Sequence, residues 1–471
     1  MNTFARNVAS NVGASSPKIA KTRTENGAVA YTSSGKANLD LFAAIGAARS
    51  RDLTNDFKAA LNENPELATR ILLWARDCRG GAGERSTPRK LLAVLETVDV
   101  ELAEKVLRKL PELGRWDDLL DSVKTPRLRE IGFGLIRDAL AAGNGLCAKW
   151  MPRKGDEAIQ LRSFLGWSPK RYRKTLVSLT KVVEQQMSAK QWSEIKYQSV
   201  PSVAMARSMK AFSRNDTVRF GEYLNRVKKG ETKINASVVF PHDIIRSLKS
   251  GQTAGADAQW NALPDFVASD ENFLPICDVS GSMSVAVSGT VSALDVCLGL
   301  GLYLSERGKG AFKDIFMTFS ARPTLQKVSG SLSERMNQMN RGAWDMNTDM
   351  EAAFNAVLDH GIKYKVPQAD MPTTLIVFSD MEFDQCIRNG NDTIYRNMRK
   401  RFADAGYNVP KVVFWNLNSR NKQFPVTAKD PNTALVSGFN PILVKNLLGK
   451  ANITPEQVML DTVMVERYNL D

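Results

Sequence analysis

The sequence predicts an α plus α/β multidomain protein: an N-terminal all-α helical-repeat array followed by a C-terminal doubly wound α/β unit. Three observations predict this. From Leu39 to Lys228 apolar residues recur at helical spacing, with no alternating strand pattern between them. From Phe273 onward short apolar runs alternate with helical patterns, as in a mainly parallel sheet with helices on both faces. The charge divides at the same place. Residues 1–265 hold 43 Lys and Arg against 28 Asp and Glu, whereas residues 266–471 hold 21 against 22, so the net +14 belongs to the first part.

At 471 residues the chain is too long for one core. The expected divisions are a flexible polar arm over 1–27, a helical-repeat domain over 28–265 and the α/β domain over 266–471. The arm lacks the apolar stretch of a secretory signal. No run of about 18 apolar residues occurs, which excludes a helical membrane span. Cys78, Cys147, Cys277, Cys297 and Cys386 show neither zinc-ligand nor redox spacing and read as reduced thiols of a cytosolic protein. With only His242 and His360, histidine-based catalysis is not expected.

In the first part, Leu39–Ala48 and Asp56–Leu61 open the helical pattern. Pro65–Arg76 has Pro at a helix start and Leu67, Ile71 and Trp74 on one face. Periodic segments follow at Val100–Lys109, Arg127–Ala142, Tyr172–Met187 and Thr217–Lys228. Helices joined by short turns, each too small to fold alone, predict a HEAT-like array. The Gly-rich stretch Arg76–Arg85 lacks the Gly-Lys-Ser/Thr ending of a phosphate loop and follows a helix, so it reads as an inter-helix turn stitched by Arg and Glu. Ser250–Asp257, poor in large apolar residues, reads as a linker. After it the pattern gives strands at 273, 314–319, 374–379 and 410–416. Helices are expected at 291–305, 331–339, 350–359 and 392–405, with closing helices at Phe439–Gly449 and Pro455–Asp461.

The chemistry concentrates where Phe273–Cys277, a buried strand by its length and flanks, runs into Asp278-Val279-Ser280-Gly281-Ser282. One carboxylate and two hydroxyls at a strand-to-helix crossover are hard oxygen ligands suited to Mg²⁺ or Mn²⁺. On these residues alone a Ser-rich turn whose Asp caps the next helix remains an equal reading. Two further segments repeat the geometry: Thr374–Asp380, another apolar strand ending on Asp, and Asn347–Phe354, a loop entering a helix around Thr348. Glu382 and Asp384, just beyond, could tune or join the ion site, but read first as solvated loop acids.

From about Glu271 onward the chain resembles a von Willebrand factor A domain, a Rossmann-like fold. The resemblance matches Asp278, Ser280, Ser282, Thr348 and Asp380 to the family's metal-ion-dependent adhesion site. It implies that Asp380 holds the ion through water, leaving one coordination position for an acidic partner. Over nearly its whole length from Gly27 the chain also resembles the Ro autoantigen, or TROVE, family and a related Ro-like family that ends in a von Willebrand factor A domain. The motifs are Arg79-Gly80-Gly81-Ala82-Gly83-Glu84-Arg85, Gly114-Arg115-Trp116-Asp117-Asp118-Leu119-Leu120, Lys149-Trp150-Met151-Pro152, and Trp192–Tyr197 leading to Val200-Pro201-Ser202. This resemblance implies a basic helical ring that binds small structured RNAs outside and the ends of misfolded RNAs inside, closed by the A domain.

The residues offer a basis of their own for RNA. Trp167–Lys174 interleaves Lys170, Arg171, Arg173 and Lys174 with Trp167 and Tyr172, and Arg207, Lys210 and Arg214 recur at near-helical spacing. Such a face would track phosphates and stack bases; a solvated helix with its aromatics in the core fits the same pattern. The leading expectation is a non-enzymatic, cytoplasmic RNA-binding ribonucleoprotein component with a divalent-metal adhesion site. A metal-dependent protein scaffold without RNA is the alternative, and a metal-assisted RNA hydrolase a weaker one.

Overall fold

The computed structural model describes residues 19–48, 51–121, 125–319, 323–341, 349–385 and 392–470. It opens with a small antiparallel hairpin, β1 (Lys21–Arg23) with β2 (Val29–Tyr31). The helical array follows as α1 (Ala37–Ile45), α2 (Thr54–Glu63), α3 (Pro65–Arg76), α4 (Ser86–Val98), α5 (Val100–Leu113), α6 (Asp118–Asp121), α7 (Pro126–Ala141) and α8 (Gly145–Trp150). It continues as α9 (Asp156–Phe164), α10 (Pro169–Leu179), α11 (Val183–Ser188), α12 (Ser202–Asn215), α13 (Thr217–Lys228), α14 (Pro241–Lys249) and α15 (Thr253–Asn261). The helices start where local chemistry starts them. At α3 the Asn64 carboxamide oxygen accepts the backbone N–H of Leu67 at 3.0 Å, and Pro65 occupies the first turn, where its missing donor costs nothing. In α5 the buried residues Ala103, Val106, Leu107, Leu110 and Leu113 form one stripe at spacings of three and four.

The C-terminal part is a six-stranded sheet in the order β10 (Thr433–Ser437), β9 (Lys411–Asn416), β8 (Thr374–Ser379), β3 (Phe273–Cys277), β6 (Ile315–Thr318), β7 (Leu325–Lys327). All neighbours are parallel except β6 and β7. A two-stranded ribbon, β4 (Ala286–Ser288) with β5 (Val291–Ser292), sits beside it. The helices are α16 (Ala293–Arg307), α17 (Leu332–Asn340), α18 (Met350–Tyr364), α19 (Ile394–Asp404) and α20 (Pro455–Val463). The coarse strand and helix order expected from the sequence matches, and the structure adds β7 and β10 as edge strands.

Four expectations are corrected. Within the arm expected to stay free over 1–27, residues 19–27 are tied to the α/β part. Thr24 donates its hydroxyl to the Phe383 carbonyl at 2.6 Å and Gly27 bridges to Asp384, because the loop after β8 leaves backbone groups that need partners. The linker expected at Ser250–Asp257 is largely helix: α15 begins at Thr253, with Gly255, Ala256 and Trp260 buried. The segment Tyr172–Met187 is two helices, broken at residues 180–182. Phe439–Gly449 contains only a 3₁₀ turn, Pro441–Asn446.

Both ends of the array are seated on the α/β part. Ser437 of β10 donates its hydroxyl to the Phe42 carbonyl of α1 at 2.8 Å and accepts the Gly46 N–H at 3.0 Å. At the other end α14 packs on α16 at Gly299, where a side chain would approach the His242 backbone nitrogen to 3.0 Å, so a larger residue there would press the two helices apart by a few tenths of an ångström. Lys249 pairs with Asp295 at 2.6 Å, and the Trp260 indole donates to Glu306 at 2.6 Å. The turn at 77–83 meets the returning chain, since Gly83 faces the Phe240 ring and Asn440 donates to the Gly81 carbonyl at 2.7 Å. The circuit of helices from α4 to α14 is therefore closed on itself and on the sheet. One hydrophobic core runs from α1 through the sheet, and α11–α13 build a second around Tyr197, Phe212, Phe220 and Tyr223.

The closure is fastened by a buried charge. Asp77 is fully buried, and Arg467 reaches it with two N–H groups at 2.5 and 3.0 Å while the Tyr468 hydroxyl donates at 3.0 Å. Burial works against the Asp77 charge, but Arg467 and the Arg79 and Gly80 amides hold its carboxyl below the usual range. Arg467→Ala leaves that charge without its cation and is expected to cost about 3 kcal/mol, read as a lower urea midpoint at pH 7. A carboxyl held low contributes stability above its unfolded range and loses it as pH falls. The gap between the wild-type and variant midpoints should therefore narrow below about pH 4.

Candidate functional site

Asp278 and Asp380 leave the carboxyl ends of adjacent parallel strands, β3 and β8. From β3 the chain crosses to β6 on one side, while β8 lies on the other, so the two acids meet at the point where strand order reverses. Open α/β sheets form their ligand crevices there. The Asp278 N–H continues the ladder to the Phe378 carbonyl at 2.9 Å, which fixes where its side chain emerges.

The turn after β3 folds back on that carboxylate. The Ser280 N–H donates to Asp278 Oδ1 at 2.9 Å, and the Ser280 and Ser282 hydroxyls lie 3.0 Å apart. The Ser282 hydroxyl also lies close enough to Asp380 to favour its charged form. Thus Asp278, Ser280, Ser282 and Asp380 are brought together as expected, whereas Thr348 lies outside the described residues. Burial, and then the charge of Asp380, pushes the Asp278 carboxyl up to about 6. Burial also raises Asp380. Two buried acids that resist ionising together with two converging hydroxyls are a hard-oxygen donor set, and it fits a divalent cation that keeps water ligands. Among the described residues no group of three or more His, Cys, Asp and Glu gathers as a metal cluster.

Four more residues shape this site, and sequence reasoning missed three of them: Ser379, Met381 and Arg420. Ser379 donates its hydroxyl to Asp278 Oδ2 at 2.6 Å and accepts the Met381 N–H at 3.0 Å. Met381 has φ of 68°, a left-handed conformation that costs a non-glycine residue about 1–3 kcal/mol. Arg420 donates to Asp380 Oδ2 at 2.9 Å and reaches Glu25 at 3.4 Å. Glu382 is buried, contrary to the solvated loop acid expected: it accepts the Glu25 N–H at 2.8 Å and the Asn421 carboxamide at 2.8 Å. A Ser beside the strand-end Asp was the one available sequence signal. Arg420 gave none, since its partner lies 40 residues away.

The basic candidates are placed differently. Lys170, Arg171, Arg173 and Lys174 are exposed on the first turns of α10, and among the described residues none has an ion pair. The Arg171 guanidinium lies 4.9 Å from the Trp167 ring centre. Tyr172 is not a stacking platform: it is buried and donates its hydroxyl to the Pro152 carbonyl at 2.9 Å. Arg207, Lys210 and Arg214 share the exposed face of α12, opposite buried Met205, Met209 and Phe212. The two groups stand on separate cores. The Gly-rich turn is structural: Gly81 passes so close to the Trp74 carbonyl that a side chain would lie 1.9 Å from it. Its neighbour Arg76 donates to buried Asp118 at 2.8 Å, as Arg89 does at 2.6 Å, which joins the two Arg-rich motifs in one charge network.

Residues 272–469 match the family described as a domain of unknown function (DUF7788), and residues 149–270 match a second domain of unknown function, DUF2828. An uncharacterised protein of Acanthamoeba polyphaga mimivirus is 29% identical over 511 residues, covering 95% of this chain and 88% of its own. The crystal structure of the Deinococcus radiodurans RO (RSR) protein aligns over 91% of this chain and 99% of that one, with a TM-score of 0.50 at 12% identity. The fold is Ro-like. Among the described residues no helix is long and apolar enough to cross a membrane.

The acid pair has a measurable consequence. Because the folded Asp278 carboxyl sits above its unfolded range, its contribution to stability is complete below about pH 4 and is lost as pH rises through 6. In chelator, the thermal midpoint should fall between pH 5 and pH 7. Asp278→Asn should abolish that part of the fall, and an unchanged slope would contradict the placement of the pair.

Proposed function

We propose that this chain is an RNA-binding, ribonucleoprotein-forming protein whose helical circuit holds RNA and whose α/β part is a von Willebrand factor A domain with a divalent-metal adhesion site. The observation that carries the reading is the set of exposed cations on α10 and α12 that no acid of the described residues neutralises. In the first part of the chain such faces supply what a phosphate backbone needs. Cations at the α10 N-terminus reinforce the positive end of the helix dipole, an arrangement that stabilises an anion more than it stabilises the helix. The Ro-like fold supports the same reading by analogy.

For the metal, Asp278, Ser280 and Ser282 would hold Mg²⁺ or Mn²⁺ directly, with Asp380 and Thr348 completing the set. When bound, the ion would supply a positive centre to which an acidic side chain or phosphate of a partner could bind. The chain's own groups prepare that position. Ser379 orients Asp278 and holds the Met381 amide, and Arg420 offsets the Asp380 charge. We read the protein as non-catalytic. Neither histidine serves the turn: His242 packs against Phe240 and Phe439, and His360 lies on Tyr364.

Two experiments test this. RNA should co-purify with the protein from its host, and binding should weaken steeply between two salt concentrations. Lys170→Ala/Arg173→Ala/Lys174→Ala should lower RNA affinity about tenfold and flatten the salt dependence by about two units of slope. Protein partners recovered without RNA would favour the scaffold reading instead. Asp278→Ala should abolish Mg²⁺ binding in calorimetry while leaving RNA affinity unchanged; surviving metal affinity would refute the site.

A further inference from the structure

The α/β part is near neutral, yet it gathers cations on one face of one helix. On α19 the residues Ile394, Tyr395, Met398 and Phe402 are buried, while Arg396, Arg399 and Lys400 stand exposed on the other side. These three, with Ala403, Val409 and Asp430, line an open groove of about 430 Å³. Val409 lies just before β9 and Asp430 just before β10, whereas Asp278 and Asp380 follow the ends of β3 and β8. The groove is thus at the opposite end of the parallel strands from the acid pair.

Its charges are not cancelled. Asp430 is engaged locally, accepting the Thr427 N–H at 2.7 Å and hydroxyl at 2.9 Å. Arg396 approaches Asp392 only to 3.9 Å, and among the described residues Arg399 and Lys400 have no ion pair. The guanidinium groups are also steadied by rings: Arg396 lies 5.9 Å from the Tyr31 ring centre and Arg399 5.9 Å from that of Tyr395. Arginine forks held in place match the oxygens of phosphate in pairs. Positions i, i+3 and i+4 space them along about one helical turn, about 5.4 Å, which is comparable to the separation of successive phosphates on an extended strand. Ala403 and Val409 give an apolar floor beside them, suited to a sugar or a base edge.

We propose that the α19 groove is a phosphodiester-binding site for single-stranded nucleic acid, separate from both the helical array and the acid pair. It does not rest on the array binding RNA. The test is Arg396→Ala/Arg399→Ala/Lys400→Ala in the full chain, made alone and on top of Lys170→Ala/Arg173→Ala/Lys174→Ala. The probes are a short fluorescent oligouridylate and a polyglutamate peptide, read by anisotropy across a salt series. The groove changes should weaken oligouridylate binding about tenfold and reduce the salt slope by about 2 in both backgrounds, with an unchanged melting temperature. That outcome supports the groove even if the array changes have no effect, in which case only the array reading fails. Unchanged oligouridylate affinity, or loss confined to the polyglutamate peptide, overturns the proposal.

Discussion

The closed circuit of this protein depends on one buried carboxylate. Asp77 lies in the turn between α3 and α4, fully screened from water, and its compensation comes from Arg467 and Tyr468 at the far end of the chain. A charge in that position is costly when alone and favourable when ringed by donors, so it rewards a single arrangement of the two ends. The turn that carries it also takes the Asn440 side chain and faces Phe240. Helices, sheet and tail therefore converge on the same few backbone atoms. The neighbouring network of Arg76, Arg89 and Asp118 extends this fastening inward.

The acid pair at the sheet's carboxyl end is built on the opposite principle. There two carboxylates share a dry crevice with hydroxyls and one guanidinium, and the strain at Met381 is held by the surrounding core. Asp77 is stabilised as an anion, whereas Asp278 is destabilised as one. The first arrangement suits a permanent structural tie, the second a position that gains from an added positive charge. The N-terminal hairpin bears on this site through Glu25, which bridges the Arg420 and Glu382 sides of the crevice.

Much of this was legible in the sequence because the signals are local. Pro65–Arg76 and Thr217–Lys228 were readable as helices to the residue, since Pro at the first turn and apolar spacing act within one element. Asp278, Ser280, Ser282 and Asp380 were readable as strand-end groups for the same reason. What escaped was set by distant partners. Nothing near Glu382 signals that Glu25 and Asn421 will bury it, and nothing near Lys21 signals that a polar arm will pair as a hairpin against the sheet. The short β10 was missed because its alternating neighbours lie in β9, not in its own sequence. Of the two readings left open for Tyr172 the core one holds, and the sequence could not choose between them because a helix-start aromatic reads alike whether it faces solvent or the Pro152 carbonyl.

The tie at Asp77 also fixes an order of events. Its partners lie 390 and 391 positions later in the chain, so during synthesis the first helices emerge long before the residues that neutralise their buried charge. Contacts of such separation form late and slowly. Until they form, the Asp77 carboxylate must keep its water, so the seating of the tail on the first turn of the array is a late step in folding rather than a nucleus for it.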